Sequence, residues 1–419
     1  MFGPFLSAGL RLPASGGLPA EARDALTAEA ALTPDPGEAL RVDLLVAEGA
    51  AVTQGQPLMT LRAAPEIALV APMAGRVARI DLGPGRVLSQ LVLFHDAAGG
   101  RHAFDLTGAG AGAGALALLM QGAGLWRRFR SRPFGRAPKA GETPAAIVVM
   151  GYDSTPDAPP VTLALAGRED DLMRGLAALS RLTEGPVFYA APDRPADLPD
   201  AIRFQRCGVT HPQGLAGMVV HRVFPASVAA PVWDIHAEDL ADLGALLATG
   251  HLPETRLVSV TGDALREARL LRCQHGADLR GLSQSVLRPG PHEVLSGSVL
   301  DGRPAHWLGP RDRQVSVLGR AGGAGGQAHW FRAALNRAAR HAPIIPTAAL
   351  EQSLGGGLPA AALIRVLASG DQEGFTRLGG LSLTETDIAL ADYATGARPR
   401  LAGQLRAMLD RIATEENAL

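Results

Sequence analysis

The chain has 419 residues, a formal net charge of -1 at pH 7 and two cysteines, Cys207 and Cys273. This length predicts several domains, and the near-neutral charge gives no sign of a nucleic-acid partner. Two cysteines without a CxxC spacing exclude an iron–sulfur cluster held by this chain alone. They also argue against a cysteine-rich zinc site and against a disulfide framework.

The beginning of the chain shows no basic region followed by an apolar core, so we expect no secretory signal peptide. The longest apolar run, near residues 113–120, is much shorter than the roughly 20 residues that a membrane-spanning helix needs. We therefore predict a soluble or peripheral protein without a transmembrane segment.

Residues 1–100 are predicted to form an N-terminal segment and a small β domain. The phrases RVDLLVAEGAAVTQGQPLMTLR and EIALVAPMAGRVARIDLGPGRVL are typical of short strands separated by glycine turns. The pattern resembles the barrel-sandwich of biotinyl and lipoyl domains. In a carrier domain a lysine occupies the hairpin tip, here about residues 63–66, but the single lysine of this chain is Lys139. We expect the fold without the carrier function.

Residues 101–144 are predicted to be a linker, which begins with the run GAGAGAGA. No strand precedes that run, so a phosphate-binding loop is not expected there. The linker continues with residues 124–139, GLWRRFRSRPFGRAPK, which we call the basic-aromatic segment. It holds five arginines, two phenylalanines, one tryptophan and the lysine within sixteen residues, which marks it as a candidate site.

Residues 145–255 alternate between strand and helix patterns. AAIVVMGYD and PVFYAAPD are typical of buried strands, and REDDLMRGLAALSRL places leucines 172, 176, 179 and 182 on one helical stripe. HAEDLADLGALLATG has an acidic first turn and ends at a glycine, as helices do. This order predicts a Rossmann-like α/β domain with a mostly parallel sheet.

Residues 256–320 return to short strands around a small helix, which predicts a β-grasp (SLBB-like) domain. Residues 321–419 are predicted to be a helical domain, with helices in HWFRAALNRAARH, AALIRVLASGD and RLAGQLRAMLDRIATEE. The whole chain is thus expected to be an α/β and α+β multidomain protein.

Several phrases, in order along the chain, resemble one known family. They are GLWRRFRSRPFGRAP, GVTHPQGLAGMVVHRVF, LSGSVLDG, WLGPRDRQVSVL and GDQEGFTRLGGLSLTETDIALADY. The family is that of NqrA, a component of the sodium-translocating NADH:quinone oxidoreductase. More distantly the chain is similar to the C subunit of the Rnf complex and to the flavoprotein subunit of respiratory complex I.

The resemblance implies a peripheral subunit on the cytoplasmic face of the bacterial inner membrane, bound to other membrane and peripheral subunits of a redox-driven ion-translocating complex. It implies that this chain binds no cofactor itself. Flavin, iron–sulfur clusters and NADH are expected on partner subunits, and ubiquinone is a candidate ligand here. In flavin-carrying relatives a glycine-rich loop lies where this chain has Trp126, Phe129 and Phe134, which would obstruct it.

Departures from the family pattern keep a second interpretation open. The family phrase LCTYVCPG is LADYATGA here, its WHxN phrase is Trp233-Asp234-Ile235, and the segment near residues 340–358 is short. A repurposed paralogue, serving as a non-catalytic scaffold or adaptor in another membrane complex, would also fit. A stand-alone small-molecule binder using the β-grasp domain is a third hypothesis.

The candidate site residues lie mainly in the basic-aromatic segment. One interpretation is contact with a quinone or with a neighbouring subunit, because aromatic rings stack on quinones and guanidinium groups bind their carbonyls. The other is structural, with the arginines paired to carboxylates of neighbouring domains. The candidates are Trp126, Phe129, Arg130, Arg132, Phe134 and Arg136.

Residues outside that segment carry weaker signals. His211 and His221 are either structural or ligand-binding, and no third ligand at a matching spacing supports a metal site. Ser296 and Ser298 lack a nucleophile elbow and are predicted to lie in a turn. The glycine-rich loop at residues 319–327 is predicted to be a linker. No catalytic residues are predicted.

Overall fold

The computed structural model describes residues 8–12, 17–108, 110, 112–320 and 348–416. The predicted helix at residues 329–341 and nearly all of the predicted linker at residues 319–327 lie outside the described residues. The predicted fold class is confirmed: a β-sandwich, an α/β domain, a β-grasp domain and a helical region follow one another along the chain.

The N-terminal domain is a sandwich of two small antiparallel sheets. Strand β1, Arg23–Asp24, precedes this domain in the chain and is not part of its sheets. The strands of the sandwich are β2 Glu29–Leu32, β3 Val42–Leu44, β4 Ala51–Val52, β5 Pro57–Leu61, β6 Ala64–Val70, β7 Gly75–Gly83 and β8 Val87–His95. The sheets have the orders β2-β8-β7-β4 and β3-β5-β6. Apolar side chains such as Leu58 and Leu91 fill the space between them. Gly75 is required there, because a Cβ would lie 2.1 Å from the carbonyl oxygen of Phe94 on β8.

The α/β domain contains the mostly parallel sheet that the sequence predicted. Its strands are β9 Arg130–Arg132, β10 Ala146–Met150, β11 Val187–Ala191, β12 Ile202–Arg206 and β13 Val232–His236. The α-helices between residue 113 and the end of this domain are α1 Ala113–Gly122, α2 Val161–Ala164, α3 Glu169–Leu179, α4 Ala216–Val223 and α5 Ala237–Thr249. Helices α3 and α5 approach closely at Gly244, where a Cβ would lie 1.8 Å from the carbonyl oxygen of Asp171.

The topology of this sheet places a crevice at its carboxyl edge. The strand order is β12-β11-β10-β13-β9, in which β9 alone runs antiparallel to its neighbour. From β10 the chain goes to one side for β11 and β12, and β13 then pairs on the other side of β10. Strand order reverses between β10 and β13, and ligands of open α/β sheets bind outside the carboxyl ends of strands at such a point.

The β-grasp domain is built on a mixed sheet in the order β1-β15-β14-β18-β16-β17. Its own elements are β14 Thr255–Thr261, β15 Arg269–Gln274, α6 Leu279–Ser283, β16 His292–Ser296, β17 Arg303–Pro304 and β18 Gln314–Gly319. Strand β1 joins this sheet by pairing parallel to β15, so the N-terminal segment ties the first domain to the third.

The C-terminal region is helical over the residues that are described. Its helices are α7 Ala348–Ser353, α8 Ala360–Ser369, α9 Gln372–Arg377, α10 Glu385–Thr395 and α11 Leu401–Glu416. They share a core that includes Leu363, Phe375 and Leu405, and Phe134 of the basic-aromatic segment packs against it. Thr384 and Asp387 form a capping box at the start of α10, which satisfies backbone N–H groups there.

The segment predicted as a linker has regular structure of its own. It contributes α1 and the edge strand β9, so residues 124–139 pass between the sandwich, the α/β sheet, the β-grasp domain and the C-terminal helices. The side chains of this segment therefore determine how the domains meet.

Candidate functional site

The aromatic residues of the basic-aromatic segment lie inside the molecule. Trp126 is 2% exposed and Phe129 is fully buried. Both rings contact Trp233 of β13, with centroids 5.1 and 5.2 Å away. The indole N–H of Trp126 donates to the carbonyl oxygen of Pro138 at 3.0 Å, so its polar atom is satisfied within the same segment. This cluster anchors the segment to the α/β sheet.

Arg132 connects the α/β domain to the C-terminal helices through two buried ion pairs. It is 1% exposed, and its guanidinium lies 2.7 Å from Asp234 on one side and 2.7 Å from Asp387 on the other. Burial opposes the charge on Asp387, but Arg132 and the capping hydrogen bonds from Thr384 outweigh it and hold the pKa of Asp387 below its ordinary value.

Three further arginines of the segment pair with carboxylates of other domains. Arg127 contacts Glu38 at 2.6 Å in the sandwich domain, and Arg128 pairs with Asp239 and Asp242 on α5. Arg136 pairs with Asp410 of α11 at 2.7 Å on the surface. These contacts are the arrangement expected under the structural interpretation of the segment.

A charged cavity of about 190 Å³ lies at the carboxyl ends of β10 and β13, where the strand order reverses. Tyr152 and Asp153 line it after β10, and Asp234 and His236 line it from β13. Arginines 128, 130, 132, 311 and 313 form much of the remaining wall. Burial, helped by the charge of Arg313, holds the pKa of His236 well below its ordinary value, so this imidazole is neutral at physiological pH.

A second cavity, of about 110 Å³, is also lined by the segment, at Gly124, Arg127 and Arg128, and has mainly apolar walls. The sandwich, residues 124–128, the end of the α/β domain and the β-grasp domain all contribute to it. Its apolar lining includes Leu32, Ala68, Leu69, Val70, Pro72, Leu252, Pro253, Leu308 and Pro310. Its polar lining includes Gln54 and His275, together with Arg127 and Arg128, whose charged ends pair with carboxylates as described above.

His275, one of the residues that line this apolar cavity, has an unpartnered ring nitrogen. Its Nε2 atom is buried and has no hydrogen-bond partner among the described residues. Burial, together with the positive charges of Arg128 and Arg256, holds the pKa of His275 well below its ordinary value. The side chain is therefore a neutral imidazole whose Nε2 is unsatisfied among the described residues.

Comparison with known proteins matches the chain domain by domain. The family models are described as the NqrA N-terminal barrel-sandwich hybrid domain over residues 5–96, the NqrA second alpha/beta domain over residues 113–252, and the NQRA C-terminal domain over residues 257–306. The NqrA protein of the Na(+)-translocating NADH-quinone reductase of Histophilus somni (strain 129Pt) is 30% identical, with 92% of this chain and 94% of that protein covered. The chain belongs to the NqrA family.

Other NqrA proteins are similar over nearly their whole length. The NqrA of Marinomonas sp. (strain MWYL1) is 29% identical, with 98% of this chain and 99% of that protein covered. That of Actinobacillus pleuropneumoniae serotype 5b (strain L20) is 30% identical, with 92% and 94% covered. A chain of an NAD+-reducing NiFe hydrogenase is similar at 12% identity and a TM-score of 0.36, over 74% of this chain and 67% of that one, too distant to bear on function.

The two predicted histidines of this NqrA chain lie on separate elements. His211 is 4% exposed beside Pro212, its Nδ1 is 3.2 Å from the hydroxyl of Ser154, and burial lowers its pKa. His221 lies on α4 against Gly379, and burial lowers its pKa as well. Within the part of the chain that the structure describes, no group of three or more His, Cys, Asp or Glu could hold a metal ion.

Both predicted serines lie in the β-grasp domain of this NqrA chain, but Ser296 is the last residue of β16 and not part of the predicted turn. Ser296 donates to Asp312, and Ser298 donates to Asp301 while accepting the backbone N–H of Leu300 in a turn. Across the described ranges, none of the helices combines the length and apolar character needed to cross a bilayer.

The sequence analysis did not identify His275, which lines the apolar cavity, or Arg311, which lines the charged cavity. His275 lies at the end of β15 and Arg311 just before β18, and neither belongs to a motif that suggests binding. Asp387 was part of a phrase that carried the NqrA resemblance, but its role as partner of Arg132 depends on folding.

Proposed function

We propose that this chain is a peripheral subunit of a Na+-translocating NADH-quinone reductase. It docks on the membrane subunits from the cytoplasmic face, and flavin, iron–sulfur clusters and NADH are bound by its partners rather than by this chain. Its own contribution is to hold a quinone head group in the apolar cavity. The similarity to NqrA proteins over nearly the full chain supports the subunit role.

The apolar cavity supports the quinone role through one observation, the unpartnered Nε2 of His275 in an apolar wall. A quinone ring is neutral and apolar apart from its carbonyl oxygens, so it gains from apolar walls and needs a hydrogen-bond donor. In the tautomer with the proton on Nε2, His275 donates to one carbonyl oxygen. A cavity of about 110 Å³ holds the ring, and the isoprenoid tail extends outside it.

The residues of this chain position the quinone and exclude water from it, while electrons come from redox groups on partner subunits. Trp126, Phe129 and Arg132 fix the basic-aromatic segment, which forms one wall of the cavity at Gly124 and Arg127. The segment thus acts on the quinone through its backbone and arginine stems, and its buried aromatic rings have a positioning role.

The subunit role is tested by affinity purification of the tagged protein from its native membranes in a gentle detergent. We expect flavin-bearing and cluster-bearing subunits to copurify, with NADH:quinone activity that sodium stimulates. Recovery of a different membrane complex, or of the chain alone, would contradict this role and favour the scaffold alternative.

The quinone role is tested separately in the intact complex with His275→Leu. Loss of a hydrogen bond to a buried carbonyl should raise the KM for quinone about tenfold while the KM for NADH is unchanged. His292→Leu is the matched control, because His292 lies exposed on β16. An unchanged quinone KM in His275→Leu would contradict quinone binding in this cavity. The proposed subunit role would not be affected.

A further inference from the structure

Arg130 differs from the other arginines of the basic-aromatic segment. No carboxylate of the described residues lies within ion-pairing distance of its guanidinium, whereas Arg127, Arg128, Arg132 and Arg136 each have at least one. Its contact with a side chain is a long hydrogen bond of 3.3 Å to the hydroxyl of Thr384. Its Nε is buried and, over the ranges described, has no partner. A half-buried cation in this state is under-compensated.

Arg311 is under-compensated in the same place. Its Nε is also buried without a partner among the described residues, and its closest carboxylate, Asp35 at 3.4 Å, is shared with Arg127. Burial lowers the pKa of Arg311, Asp35 opposes that effect only in part, and the nearby charges of Arg130 and Arg127 lower it further. The two guanidinium groups therefore repel each other, and Asp35 and Glu38 offset that repulsion in part.

Both arginines line two cavities, the charged cavity at the carboxyl edge of the sheet and an outer cavity of about 330 Å³. Thr386 lines both as well. The carboxylates around the outer cavity already have partners. These pairs are Glu38 with Arg127, Asp312 with Arg303, Glu385 with Arg406, and Asp410 with Arg136, and Asp301 accepts from Ser298.

We propose that Arg130 and Arg311 form a binding site for the oxyanion group, a carboxylate or a phosphate, of a small molecule that occupies the outer cavity. The guanidinium groups of both arginines donate N–H to its oxygens, and the hydroxyl of Thr386 is available as a further donor. Guanidinium groups suit this ligand class because they present fixed N–H donors to carboxylate and phosphate oxygens. The site is independent of the quinone proposal, because the outer cavity and the apolar cavity share no lining residue.

The test is isothermal titration of the purified full-length chain with inorganic phosphate and, separately, with citrate, each against chloride at matched ionic strength. Saturable binding of at least one of the two anions is expected, and comparison of the two separates phosphate from carboxylate as the group recognised. Arg130→Gln should weaken that binding about 10- to 100-fold, the loss expected for a charge-assisted hydrogen bond. Arg377→Gln, which changes an exposed arginine on α9, should bind as the unmodified protein does.

Two further variants keep the test decisive. Arg130→Lys retains the charge but loses the guanidinium geometry, so it should recover only part of the affinity. Arg311→Gln is the corresponding change at the second arginine. If that variant does not fold, Thr386→Val tests the same site and should weaken binding less than Arg130→Gln. Absence of saturable binding by both anions would overturn the proposal. Binding that is equally tight in Arg130→Gln would do the same.

Discussion

Arg132 and Arg136 lie four residues apart in the same segment, and each pairs with an aspartate at 2.7 Å. The side chain of Arg132 is 1% exposed, whereas that of Arg136 is 54% exposed. The two ion pairs have the same length but differ in how much they matter for stability. A buried charge that loses its partner has no water to take the partner's place. Solvent and salt replace a surface partner at little cost. Arg132 therefore helps to hold the α/β domain and the C-terminal helices together, whereas Arg136 lies on the surface.

The largest effect is expected for Arg132→Ala. The substitution leaves Asp234 and Asp387 without their shared cation, so the free energy of unfolding should fall by about 3–5 kcal/mol. Urea unfolding followed by circular dichroism measures this. A loss of less than about 1 kcal/mol is typical of an exposed pair. Such a result would show that the pairs of Arg132 and Arg136 do not differ as described.

A smaller loss is expected for Trp126→Phe, which keeps an aromatic ring but removes the donor to the carbonyl oxygen of Pro138. The unsatisfied carbonyl and the smaller ring should together cost about 2 kcal/mol in urea unfolding. Trp307→Phe is a matched control, because it also loses one indole hydrogen bond, to Gln90, but at a half-buried position. Equal losses in the two variants would count against the anchoring role of the aromatic cluster.

The pH dependence of stability separates the buried pair from the surface pair. Because the folded protein holds the pKa of Asp387 below its unfolded value, near 3.9, this carboxylate stabilises the fold above that pH. The contribution is lost as the pH falls through the folded pKa. Asp387→Asn should therefore be less stable at pH 7, and should lose less stability as the pH falls from 5 through the folded pKa, by about 1.4 kcal/mol per unit of pKa shift in total. Parallel pH profiles for the two proteins would contradict this.

The smallest effect is expected for Arg136→Ala. The exposed pair with Asp410 should contribute less than about 1 kcal/mol to the free energy of unfolding, and high salt should remove most of that contribution. A loss similar to that of Arg132→Ala would mean that α11 depends on this contact far more than its exposure suggests.

Much of the fold followed from local patterns. Glycine turns between short strands predicted the sandwich, and apolar residues at helical spacing predicted α3, α8 and α11, since a packed helix hides one apolar face and local sequence records that face. Glycine stops were equally visible, as at Gly250, which ends α5 in a left-handed conformation. The edge strand β9 was missed because Arg130–Arg132 carries no apolar alternation, and it forms only because β13 is there to pair with it.

The sequence by itself determined the fold class and the family resemblance, and it drew attention to residues 124–139. It could not assign the roles of the arginines there, because the partners of Arg132 and Arg128 lie more than a hundred positions along the chain. Nor could it pick out His275 or Arg311, whose unpartnered nitrogens exist only once four domains enclose them. Burial and ion pairing depend on which distant residues meet, and only the tertiary structure decides that.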